Sequence, residues 1–421
     1  RKITQTPIAK NTLIIRPNFI KGSDCFYYSF QTEEGKKYYW VDPKRKEKKL
    51  LFDNAELVSK ISEMTRKPYN HKNLDIDVKF LDKETFRFYL DRQDYTYNIR
   101  TKELKLWKAE KQFTADPYWM YYSPDSTYIV YAKSHNLYML SVKDSVETQI
   151  TTDGELKYSY AYGDTDTTSK RVSARVTWFE NSERFYVRRS DRRKIKTLYV
   201  VNNLSSRPML KEYEYVMAGD QEVQHEELFL VDTTDKKLIK VSVEKWPDQT
   251  LRLFTPGEKV NSLYFLRKKR TCDEIDFCKV DLKTGEVKVL INEISKPYFN
   301  NDFFHLSLLN EGKDIIWWSE RTGHGHFYHY DGEGNLKNAI TSGNWTAGKM
   351  VKIDTVGRTI YFGAYGQEKG ACPYYARVNK ARIDGNGQVE VLTPEQATHE
   401  AYFSKSGRYF VDNYSRADLE P

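Results

Sequence analysis

Between Ile315 and Leu336 the chain alternates apolar runs with short polar breaks. Ile315-Ile316-Trp317-Trp318 is β-branched and aromatic, which favours a strand. Thr322-Gly323 and Gly325 stand where a hairpin turn needs residues tolerant of positive φ. Phe327 and His329 then alternate with Tyr328 and Tyr330, the two-residue period of a strand. Asp331-Gly332 opens the next turn. The pattern predicts an antiparallel meander, which cannot bury both faces alone and so needs neighbours of the same kind.

Those neighbours are present as repeats. An aromatic or serine, a polar turn and an apolar strand recur in Tyr122 to Tyr131, Trp178 to Val187, Leu308 to Trp317 and Tyr402 to Val411. The second half recurs at Asn136 to Leu140, Thr197 to Val201, Phe277 to Asp281 and Tyr374 to Val378. A short strand ending in threonine follows at Gln149-Ile150-Thr151, Ala339-Ile340-Thr341 and Val391-Leu392-Thr393. The period of roughly 40–55 residues is that of a four-stranded propeller blade. Such spacing predicts an all-β propeller of about seven or eight blades. Residues 1–117 would hold an N-terminal segment and degenerate first blades, around Tyr38 to Val41 and Phe86 to Leu90, and residues 118–421 the well-matched ones. Asn54 to Ile61 is the best helical stretch, with Leu57, Val58 and Ile61 on one face, and reads as a connector. Two stretches break the rhythm, Leu204 to Gln224 and Tyr158 to Arg175. Loops of that length in a compact domain are often functional.

Composition adds little that is specific. An aromatic content of 14%, with 32 Tyr, suits strands, and 30% charged residues of mixed sign exclude a disordered chain. The net charge of +8 is scattered, and Lys44 to Lys49 reads as a solvated hairpin loop, so no nucleic-acid partner is expected. No apolar run approaches the ~20 residues of a membrane span. The chain opens at Arg1 with neither initiator Met nor apolar leader, which suggests a mature or trimmed product. Four cysteines are too few for a disulfide framework, although Cys272 and Cys278 could pair across a hairpin.

No G-x-S-x-G elbow, phosphate loop or H-E-x-x-H occurs. His324, His326 and His329 cluster, but Gly325 and the lack of carboxylates at ligand spacing favour polar strand residues. No metal, no cofactor and no catalytic residue is therefore expected in this chain. Asp164 and Asp166, in the irregular stretch, could serve as general acid and base, could bind a cationic group, or could simply stand in a solvated loop. Glu226-Glu227 opens a strand, where alternation parts the two side chains.

Trp318 to Gly323, His326 to Asp331 and Thr341 to Trp345 resemble the dipeptidyl-peptidase IV N-terminal β-propeller of the prolyl oligopeptidase clan. Ser123 to Ser126, Arg189 to Lys194, Glu212 to Asp220, Leu392 to Pro394 and Tyr409 to Asp412 agree in order, over most of residues 118–421. The resemblance implies eight blades, an α/β-hydrolase domain with Ser, Asp and His after residue 421, and export to the periplasm, cell envelope or exterior. It also implies a peptide substrate and, frequently, a homo-oligomer. Family members grip the substrate's amino terminus with an adjacent Glu pair, and the aligned stretch 158–175 has none. Asp164 and Asp166 are the acids left to meet an ammonium there. The rival reading is a stand-alone propeller that binds a peptide, glycan or protein partner without hydrolysing it.

Overall fold

A computed structural model describes residues 14–107, 117–163, 170–254 and 261–419. Among them stand seven four-stranded antiparallel sheets, each a meander in chain order, a two-stranded sheet and a two-stranded ribbon. The third sheet runs through Tyr121–Tyr122, Tyr128–Lys133, Asn136–Ser141 and Glu147–Gln149. The fourth runs through Val176–Trp178, Arg184–Asp191, His225–Asp232 and Leu238–Lys240. The repeating hairpins seen in the sequence are all present. Their turns share one device, a residue of positive φ: Ser126 at 62°, Ser182 at 59° and Gly407 at 74°. Gly323 also takes a positive φ, of 89°, whereas Gly325 does not.

The threonine that closes each repeat has a shared task. The hydroxyls of Thr151, Thr341 and Thr393 accept the backbone N–H of Leu137, Phe327 and Val378 at 2.9, 3.0 and 2.9 Å. All three threonines are buried, so each satisfies an N–H at the start of a blade's third strand that water cannot reach.

Contacts divide the chain into two compact units, one of residues 1–112, 322–327 and 338–421, the other of 113–321 and 328–337. In the first, helix Asn54–Thr65 is capped by the Asp53 carboxylate, which accepts from Ala55 N at 2.7 Å and Glu56 N at 3.1 Å. Its Leu57, Val58 and Ile61 pack with Tyr38, Phe86 and Tyr97. In the second, strand His225–Asp232 buries both faces: Phe229 and Val231 join Val130 and Phe185, while Leu228 and Leu230 join Leu263 and Phe265. A strand apolar on both faces is what a blade between two others requires. The turn 331–334 shows how closely these pieces approach, since a Cβ on Gly334 (φ 88°) would meet Leu290 O at 2.2 Å.

Three expectations need correction. Thr197 to Val201 is not a blade strand: Thr197–Asn202 pairs with Met209–Glu214 in the separate ribbon, and His225–Asp232 takes the place in the sheet. Exposed Tyr199, Val201, Leu204 and Leu210 line that ribbon, so its apolar pattern mimics a blade strand without a blade's burial. Tyr374 to Ala376 precedes its strand, which begins at Arg377. Cys272 and Cys278 are both free. Cys272 lies in a turn, and Cys278 lies opposite Phe265 on the strand that leaves that turn. At about 3.3 Å per residue the two lie too far apart to bridge.

Candidate functional site

The irregular stretch joins the third sheet to the fourth, and its described residues, 158–163 and 170–175, are well tied down. Tyr162 N donates to Ser173 O at 2.7 Å, Arg175 N to Tyr160 O at 3.1 Å, and Ala132 and Val172 exchange bonds of 2.9 Å. The outgoing and returning arms therefore pair with each other and with a blade strand. Asp164 and Asp166 lie outside the described residues.

The fixed point beneath this stretch is Arg189, only 3% exposed. Alternation along Arg184–Asp191 puts it on the face of Phe185 and Val187. Its Nη1 donates to Asp153 Oδ2 at 2.7 Å, and its Nε and Nη2 donate to Glu227 Oε2 at 3.0 and 2.7 Å. Nη2 also donates to the Tyr158 hydroxyl. The guanidinium stacks 3.6 Å from the Tyr158 ring centroid and 4.6 Å from that of Tyr160. Tyr158 Oη donates to Glu227 Oε2 at 2.9 Å, and Lys240 Nζ donates to Glu227 Oε1 at 2.9 Å. Burial opposes the charge on Glu227, yet the hydrogen bonds from Lys240, Arg189 and Tyr158 outweigh it and hold the pKa below the usual range. Asp153 behaves alike: burial is outweighed by its bond from Arg189. The Tyr158 hydroxyl is pushed up, by burial first and then by Glu227.

Glu226 and Glu227 turn apart, as alternation requires. Glu226 takes Arg188 and Gln224, and Glu227 takes Arg189. They form no dyad. Sequence reasoning missed Arg189 as the organiser, although an arginine in phase with Phe185 and Val187 was the available signal.

Two of the clustered histidines, His326 and His329, are bound within the structure. His326 Nε2 lies 3.0 Å from Gly343 O and its Nδ1 lies 3.1 Å from Thr341 Oγ1. The carbonyl demands a proton on Nε2, so Nδ1 accepts from the threonine and the ring is neutral, in keeping with a pKa lowered by burial. His329 Nε2 lies 2.6 Å from Asp314 Oδ1. Among the described residues no group of three or more His, Cys, Asp or Glu is placed to hold a metal ion. Burial pushes the Cys278 thiol up to about 12. No helix among the described residues is long and apolar enough to cross a membrane.

A second buried carboxylate organises the stretch that opened the sequence analysis. Glu293 accepts from Trp317 Nε1 at 2.5 Å, from Arg321 Nη2 at 3.0 Å and from the Ser319 hydroxyl. Arg321 in turn lies over the Tyr328 ring, 4.3 Å from its centroid. The Trp-x-Ser-x-Arg spacing thus converges three donors on one acid, which is a structural task.

Comparison with known proteins gives a consistent result. A probable dipeptidyl peptidase 4 of Trichophyton verrucosum is 24% identical over 162 residues, which are 37% of this chain and 20% of that protein. The crystal structure of Porphyromonas gingivalis dipeptidyl peptidase 4 superposes with a TM-score of 0.55 at 20% identity, covering 96% of this chain and 56% of that one. A solved structure from Bacteroides ovatus superposes with a TM-score of 0.56 at 16% identity, covering 96% and 58%. The chain therefore spans little more than half of either solved relative, and the fold they share with it is the β-propeller. Residues 72–421 match the family described as the dipeptidyl peptidase IV (DPP IV) N-terminal region, a match that begins well before residue 118. The chain belongs to that family.

Proposed function

We propose that this propeller is the non-catalytic half of an exported serine peptidase of dipeptidyl peptidase IV type. In this reading it screens peptides on their way to a following α/β-hydrolase domain and helps to seat their amino ends. The observation that carries the reading is the family match along residues 72–421, supported by the propeller fold. Serine attack, histidine general-base catalysis and oxyanion stabilisation would belong to the hydrolase domain. The stretch 158–175, held by Arg189, would meet the substrate's amino end, with Asp164 and Asp166 supplying carboxylates for the ammonium.

Two finer points belong to the same reading. An eighth blade completed by both ends of the chain is supported by Asn413, whose side chain accepts from Ile15 N and donates to Ile15 O, both at 2.8 Å. Self-association of the parent has a suitable surface in the ribbon, where Tyr199, Leu204 and Leu210 are exposed. Light scattering of a Leu210→Lys variant tests that point, and an unchanged oligomer would remove the ribbon from the interface.

The central test is a panel of chromogenic peptides with free or blocked amino termini and Pro or Ala before the scissile bond. This chain is assayed beside the parent extended to its natural C-terminus. Turnover by the extended form alone is expected, with a preference for free termini that Asp164→Asn or Asp166→Asn weakens. Silence from both forms would overturn the peptidase reading in favour of a binding module, and indifference to blocking would remove both Asp residues from the site. Export is tested by fractionating the source cells, and recovery in the cytoplasm would overturn it.

A further inference from the structure

Six arginines lie in or beside the stretch 158–175, and their partners differ in one telling respect. Arg171 pairs with Glu147, Arg188 with Glu226, Arg189 with Asp153 and Glu227, Arg192 with Glu214, and Arg193 with Asp191 and Glu155. Arg175, on the returning arm, has no carboxylate partner among the described residues. Its guanidinium donates once, from Nη1 to Ser190 Oγ at 3.1 Å, and faces the Tyr162 ring at 6.0 Å. An arginine carries five N–H donors in a planar fork, so four of these, on a part-buried side chain, have no acceptor among the described residues. Ser190 sharpens the point. Its buried hydroxyl also accepts from Gln224 Nε2 at 3.3 Å, so its oxygen takes two donors while its own proton has no acceptor among the described residues. Among the described residues, Arg175 and Ser190 together present donors without acceptors and a positive charge without a paired acid. Glu226, which shares Gln224 with Ser190, is engaged by Arg188.

We infer that Arg175, with Ser190 beside it, is a subsite for a carboxylate of the bound peptide, and so a specificity-determining residue. The inference rests on the proposed peptide-handling function. A planar carboxylate matches one guanidinium fork. A phosphate would call for several free cations, and the neighbouring arginines are already paired. The carboxylate has two sources, an acidic side chain or the peptide's own C-terminus, and the geometry serves either.

The test measures binding of three fluorescent peptides to the present chain by anisotropy. They share one backbone and differ only in charge: an Asp side chain with an amidated C-terminus, Asn with a free C-terminus, and Asn with an amidated C-terminus. At least one carboxylate peptide is expected to bind about tenfold or more tighter than the uncharged one, the size of a hydrogen-bonded charge interaction. Arg175→Gln should erase that discrimination while leaving the uncharged peptide's affinity in place. Arg175→Lys should keep part of it, and the charge-matched control Lys349→Gln should keep all of it. The peptide that discriminates identifies the source. Discrimination that survives Arg175→Gln, or equal binding of all three peptides by the wild type, would overturn the inference. Turnover of uncharged peptides by the extended parent separates the two levels. If turnover is seen without charge discrimination, the subsite fails and the peptidase stands. If discrimination is seen with no turnover of any peptide, the peptidase fails and the subsite stands.

Discussion

Replacing Arg189 by Met tests whether one side chain anchors the stretch 151–175. Methionine keeps much of the apolar stem over Tyr158 and Tyr160 and deletes the charge. Removing one partner of a buried ion pair costs about 3–5 kcal/mol. Asp153, with its side chain 56% exposed, adds little to that, of order 0–1 kcal/mol. The larger share comes from Glu227, whose side chain is 16% exposed and which would keep only Lys240 and Tyr158. The loss should therefore settle near 3 kcal/mol. If it is local, the opening equilibrium of the stretch rises by about 100-fold, and trypsin should cut at Lys157 and Arg171 faster by a similar factor. Urea unfolding followed by tryptophan fluorescence measures the global part. The double variant Arg189→Met, Glu227→Gln should recover ~1 kcal/mol or more, because it no longer buries an uncompensated acid. The pH dependence has a fixed sign. The folded pKa of Glu227 is depressed, so the pair's contribution is present above the unfolded value of about 4.3 and is lost as pH falls through the folded one. The gap between wild type and Arg189→Met should then narrow in acid. A loss under about 1 kcal/mol, or strict additivity in the double variant, would refute the anchoring argument.

The remaining predictions concern the scaffold. Thr341→Val and Thr393→Val should each cost about 1–3 kcal/mol by leaving the N–H of Phe327 or Val378 buried without a partner, and chemical denaturation showing no loss at either site would remove the shared role. Glu293→Ala should cost about 3–5 kcal/mol, because it strands the Trp317 indole N–H and Ser319 together, whereas a loss within 0.5 kcal/mol, the ordinary range for surface changes, would refute that. His399 faces two acceptors, with Nδ1 at 2.7 Å from Asp412 Oδ2 and Nε2 at 3.0 Å from Glu395 O. Burial disfavours its charge, but these hydrogen bonds outweigh it and raise the pKa. Its contribution is full below the unfolded value of about 6.5 and is lost as pH rises through the folded one. His399→Gln should therefore flatten the decline in Tm on the alkaline side, and an unchanged profile would show that the ring is not charged in the fold.

What the sequence made legible follows from what periodicity measures. Hairpins such as Tyr122 to Tyr131 announce themselves because each needs a strand pattern and a turn former, and both are local. The helix was visible for the same reason, since Leu57, Val58 and Ile61 mark its inner face. The ribbon misled because Thr197 to Val201 has the composition of a blade strand, and composition does not say whether a strand is covered. The candidate site was hardest to see. Arg189 draws its partners from Asp153, Tyr158 and Glu227, as far as 38 positions away, and no spacing rule links them.

The same contrast sets the stretch 158–175 apart from the blades. The blades are held by repeated local devices, a positive-φ turn and a buried threonine, so the loss of one leaves the others intact. The described residues of the stretch are held by the buried Arg189, by pairing between the two arms and by the bonds of Val172 to Ala132 in a blade strand. On the proposed reading, this connection is where Asp164 and Asp166 would stand in for the expected Glu pair and where Arg175 would meet a carboxylate. On that reading a change in the peptide bound would need substitutions on one connection, while the scaffold that presents it stays the same.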